Sequence, residues 1–176
     1  MGGVVILFSR YIRQAVFAPA SNAPGMAPNF LDPSDNKVLI GRLFRLMPDA
    51  QRRWGTMTVG QMLVHCTDQL RVSRGEKPVT SLRVPGLLKP LLKWYFVTRL
   101  QQFKPNMKTM YELDAKGGMT PPVSFAADHA TLLRLLSPAS YSLQGVEHPL
   151  FGHLPAQEFG EITWKHLDHH LRQFGV

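Results

Sequence analysis

The chain has 176 residues, a formal net charge of +8 and one cysteine, Cys66. That length makes one domain with room for a full core, so a bound metal would serve function more readily than it would staple a small fold. A single cysteine excludes an internal disulfide framework and any cysteine-rich zinc site, and it suits a reducing cytoplasm; no run approaches the roughly 18 apolar residues of a membrane span.

Residues 1–31 hold no acid, only Arg10 and Arg13 as cations, the apolar run Val4 to Phe8 and then an Ala/Pro/Asn-rich stretch. The run is too short for a secretory signal, Ile6 stands where myristoylation needs Ser or Thr, and two arginines are few for an organelle-targeting peptide. This segment is expected to be a flexible extension, with Met26 as a second possible start of translation and the folded domain covering 32–176. Asp32-Pro33-Ser34 is a helix-start signal, and Val38, Leu39, Leu43, Leu46 and Met47 carry an amphipathic first helix to about Met47. After a short connection containing Trp54, Thr58 caps a second helix, Val59 to about Ser73. Its apolar stripe is Val59, Met62, Leu63, Cys66 and Leu70, with His65 at the margin beside Gln69. A marginal histidine either reaches sideways into a pocket between helices or grazes the surface. Asp68, one turn on, either accepts from a histidine ring N–H or pairs with Arg71 on the helix surface.

A third helix is expected from about Leu87 to Phe103, with Pro90 in its first turn. It lies in a stretch without acids between Glu76 and Glu112 that contains Lys77, Arg83, Lys89, Lys93, Arg99, Lys104 and Lys108. Such a stretch fits a core helix with a cationic outer face, or a surface for an anionic partner such as a membrane, nucleic acid or an acidic small molecule. Leu113 to Phe125, with Gly117-Gly118 and Pro121-Pro122, is expected to be a long loop bordering a site. Ala126 to Leu136 is a further helix, on which His129 is a surface residue. Ala139 to Leu154 is a loop with room for a short extended pairing; neither His148 nor His153 is assigned as a ligand.

Pro155 opens the last helix. At about 3.6 residues per turn, Phe159, Thr163, His166, Leu167, His170, Leu171 and Phe174 share one face, and Glu161, Lys165, Asp168 and Arg172 the other. His166 and His170 are one turn apart on the apolar face, so both imidazoles approach one point, as an H-x-x-x-H clamp requires. Buried histidines are also often neutral, hydrogen-bonded core residues, and a third ligand from another helix decides between the readings. His169 falls on the polar flank, a neighbour of the pair and not a ligand. There is no repeat, P-loop, dinucleotide fingerprint or nucleophile elbow.

Arg53-Trp54-Gly55-Thr56-Met57-Thr58 with Gln61 to Cys66, then His148-Pro149-Leu150-Phe151-Gly152, then Lys165 to Gly175, resemble the DinB/YfiT-like superfamily of metal-binding helical bundles, in its branch known as a domain of unknown function. The resemblance runs over about residues 30–175. It implies an all-α, up-down four-helix bundle with long loops, in which His65, His166 and His170 bind one divalent metal, commonly nickel, zinc or manganese. Some relatives are metal-dependent hydrolases or transferases of low-molecular-weight thiols, and such bundles often pair. The expected function is therefore activation of water or a thiol by a three-histidine metal, acting on a small-molecule substrate such as a thiol or an anion, in the cytoplasm of a bacterial-type cell. Asp68, Gln69 and His169 are the candidates to support the ligand rings; neither Asp68 nor Glu158 is assigned as a general base. The competing expectation is a non-catalytic, metal-stabilised binding or stress-response module whose segment 77–108 contacts an anionic partner, nucleic acid being the less favoured one.

Overall fold

The computed structural model describes residues 27–176 except 83 and 143. Expectations for residues 1–26 lie outside the described residues. The chain is mostly helical: α1 Pro33–Phe44, α2 Val59–Ser73, α3 Lys89–Trp94, α4 Phe125–Leu135 and α5 Ala156–Gln173, with a two-stranded antiparallel sheet, β1 Val146–His148 and β2 Gly152–Leu154, just before α5. α1 and α2 each pack against both α4 and α5. Leu39 and Leu43 of α1, Met62, Leu63, Cys66 and Leu70 of α2, Leu132 of α4 and Leu167 and Leu171 of α5 belong to one buried cluster.

The helix starts follow local chemistry. Asp32 accepts from the Ser34 and Asp35 amides at 2.8 and 3.2 Å. Thr58 and Gln61 form a reciprocal capping box that satisfies two amides α2 would otherwise leave bare. α1 stops at Phe44, three residues short of the expected end, with its cap at Arg45.

The expected third helix is the main departure. A 3-10 turn, Gly86–Leu88, leads into α3, and a π turn, Tyr95–Arg99, ends it well before Phe103. The Thr98 hydroxyl donates to the Trp94 carbonyl at 2.7 Å, and the Lys165 ammonium donates to the Val97 carbonyl at 2.7 Å. Side chains thus satisfy carbonyls at the end of the helix, and the Leu100 amide closes a wider turn on Tyr95 at 2.8 Å. The outer face of this segment is also more apolar than cationic: Leu87, Leu91 and Trp94 face solvent, with Arg99 at its end.

Of the residues expected to belong to the extension, Asn29, Phe30 and Leu31 pack onto the folded domain. Phe30 is fully buried edge-on to Tyr141 and Phe159, and its amide donates to the Gly160 carbonyl at 3.1 Å. Asn36 donates to the carbonyls of Phe30 and Leu136 at 3.0 and 2.9 Å, joining this segment to the end of α4. The short pairing expected within 139–154 is the β1–β2 hairpin, with the Glu147–His153 pair outward and His148 and Leu154 inward.

α5 is enclosed more fully than its two-faced pattern suggests: no residue from Phe159 to Phe174 is exposed. Lys165, expected outside, is buried with its ammonium on Val97. Asp168 is partly buried between Arg42 and Arg172, at 2.7 and 2.9 Å.

A convergent three-histidine site

α2 and α5 bring His65, His166 and His170 together. The His166 Nε2 lies 3.1 Å from the His65 Nε2 and 3.2 Å from the His170 Nε2, and one ring nitrogen of each residue falls within 4.8 Å of the other two. His65 and His170 are buried and His166 half-buried. Nitrogens about 2.0–2.1 Å from a common ion sit about 3 to 3.4 Å apart, so the two short separations are those of neighbouring ligands on one metal.

The surroundings of two rings fix which nitrogens point inward with lone pairs. His65 Nδ1–H donates to the Leu113 carbonyl at 2.8 Å, which leaves its Nε2 as an acceptor. The Gln173 amide NH2 donates to the Trp54 carbonyl at 2.9 Å, so its oxygen is the group 2.9 Å from His170 Nδ1, and that nitrogen must donate. The His170 Nε2 is then also a lone pair. His166 has a buried Nδ1 without a hydrogen-bond partner among the described residues. If Nδ1 carries the proton, three lone pairs face one point; if Nε2 carries it, a buried acceptor is orphaned. A divalent cation at the convergence would take up the three lone pairs and select the Nδ1–H tautomer of His166, and the donor set of three neutral imidazoles suits it.

The electrostatics keep the rings neutral. Burial lowers the pKa of His65, opposed by the bond to Leu113 and the charges of Asp68 and Asp114. Burial and then the neighbouring histidines hold His166 well below the ordinary histidine value; His170 is likewise held well below it by burial, with His65 adding.

The three candidates to support the rings lie elsewhere in the hydrogen-bond network. Asp68 is wholly buried, but its oxygens accept from the Thr120 amide and hydroxyl at 2.8 and 2.9 Å and from Lys77. It ties the 118–120 loop to α2 and reaches His65 only through its charge; Arg71 is 3.5 Å away. Gln69 donates to the Ser73 hydroxyl at 3.3 Å. His169 is buried and not on a polar flank: it donates to the Phe103 carbonyl at 2.9 Å and its ring lies against Trp54 and His170. Glu158 pairs with Lys93 at 3.1 Å. His148 is buried and stacked on Phe151, His153 pairs with Glu147 at the surface, and His129 reaches the Leu43 carbonyl at 2.9 Å, so it is not a plain surface residue.

Sequence reasoning missed Leu113, Gln173 and the role of Trp54. The spacing of Gln173, three residues after His170, was the available signal; a backbone carbonyl leaves none. Gly55 belongs to the same arrangement. Its φ is +76°, and a Cβ there would stand 2.7 Å from the Gln173 amide nitrogen. The Arg53 amide donates to the Gln173 carbonyl at 2.7 Å, so Arg53-Trp54-Gly55 clasps the end of α5.

A family model described as a protein of unknown function (DUF1569) matches residues 28–175. The chain belongs to that family. The DUF1569 match covers all three histidines and every element that positions them. Comparison with curated proteins and with solved structures finds no match.

Proposed function

We propose that His65, His166 and His170 hold one divalent metal and that the protein uses it as an enzyme, a hydrolase or a transferase of a low-molecular-weight thiol. The observation carrying this reading is the meeting of three imidazole nitrogens whose outer hydrogen bonds turn two of the lone pairs inward. Such an ion, when bound, supplies Lewis acidity that makes a coordinated water or thiol a usable nucleophile near neutral pH. The chain's own residues do the rest. The Leu113 carbonyl and Gln173 fix two tautomers and ring directions, burial keeps the imidazoles neutral, and Phe103 covers one side of His166 at 5.6 Å between ring centres. All ligands are neutral, so the site keeps the full charge of its ion and favours an anionic substrate.

Within this reading α1, α2, α4 and α5, with α1 and α2 each packed on α4 and α5, are a DinB-like bundle with α3 outside it. The metal is nickel, zinc or manganese. The compartment is a reducing cytoplasm, in which Cys66, buried and with its thiol pKa pushed up by that burial, stays inert.

Metal-loaded protein should hydrolyse activated esters or phosphoesters, or join a small thiol to an electrophile, and His166→Ala should abolish the rate. An equal rate in loaded, chelated and His166→Ala protein would leave the metal a structural role only.

A further inference from the structure

The segment Gly86–Arg99 is apolar on two sides, and only one is covered. Leu92, Phe96 and Val97 pack toward the main core, with Phe96 against Phe151 at 5.2 Å. On the other side Leu87, Leu91 and Trp94, spaced four and three residues apart, form a row that is 92, 48 and 50% exposed, with Leu88 beside it at 38%. A helix that is apolar all round normally has both sides buried. No acid occurs from Lys77 to Tyr111, and Arg99 is exposed at the end of the row. The Arg99 guanidinium lies 5.5 Å from the centre of the Trp94 ring, which sets a cation at the edge of the apolar face.

We infer that this face docks on an anionic lipid bilayer. Leucine side chains standing out from the helix fit an acyl layer, tryptophan favours the boundary between headgroups and chains, and arginine reaches outward to anionic headgroups. A second copy of the chain fits less well, since pairing the face with itself would bring like charges together in a protein of net charge +8. No helix of the described residues is long and apolar enough to cross a membrane, so the association is peripheral. This inference does not rest on the metal.

The full chain is sedimented with phosphatidylcholine vesicles and with the same vesicles carrying phosphatidylglycerol. Binding is expected only to the latter. Leu87→Glu with Leu91→Glu should weaken it at least about tenfold, because the buried apolar area is replaced by charge. Arg99→Gln should weaken it about fivefold. Quenching by brominated lipid should be strong in the parent and largely lost in Trp94→Phe, a readout that does not depend on the glutamate variants folding. Failure of the parent to sediment, equal binding by the folded double glutamate variant, or quenching unchanged in Trp94→Phe would overturn the inference. So would a dimer in solution that the glutamate pair converts to monomer.

Discussion

His166 is the centre of the site, because its Nδ1 is buried without a partner among the described residues while its Nε2 faces two other imidazoles. Gln173 is the residue whose removal separates holding from orienting. In Gln173→Ala the His170 Nδ1–H loses its acceptor and the ring its fixed direction, so metal affinity measured by calorimetry should fall about 10- to 100-fold, with the ligands intact. Gly55→Ala should act at the same place from outside. Its positive φ and the Cβ placed against Gln173 predict a loss of about 1–3 kcal/mol in denaturant unfolding, together with weaker metal binding. His148 supplies a pH dependence away from the site. Burial and then the charge of Lys89 bring its pKa down to about 4, so the unfolded chain binds the extra proton first. The contribution is complete above the unfolded value of 6.5 and is lost as pH falls toward 4, on the order of 2–3 kcal/mol. Stability of His148→Phe, followed by urea unfolding across that window, should fall less steeply than that of the parent.

Among the elements, α2 and α5 were legible and α3 was not, for definite reasons. Thr58 and the stripe through Leu70 specify α2 locally, and the four-residue spacing of His166 and His170 is a property of any helix. The end of α3 depends instead on Thr98 returning to Trp94 and on Lys165, distant in sequence, reaching Val97; no local pattern contains the second contact. The same limit hid the docking of residues 29–31, because Asn29 and Phe30 end a stretch rich in Ala, Pro and Asn, and their partner, Gly160, lies far off in sequence on α5. Gly160 is what admits them: a Cβ there would stand 1.7 Å from the Asn29 side-chain oxygen. Gly160→Ala is therefore expected to displace the 29–31 segment despite a better helix propensity. Hydrogen exchange should report loss of protection at the Phe30 amide, with α5 itself still protected. Retained protection at Phe30 would count against this packing.

For the molecule as a whole, a metal that joins α2 to α5 couples binding to folding. The described residues place its ligands on α2 and α5, far apart in sequence, so an ion binding the folded state alone adds to global stability. At about a hundredfold excess over Kd the gain is about 2.7 kcal/mol, or about 5–10 °C in melting temperature for a chain of this size. Thermal melts with and without chelator should differ by that amount in the parent and by nothing in His65→Ala. The most direct measurement is the metal content of the full chain, purified without an affinity tag or chelator, alongside His166→Ala and His170→Ala. About one divalent ion per chain in the parent and little in either variant is the expected result. A parent protein free of metal that also fails to take up nickel, zinc or manganese in titration would contradict the account.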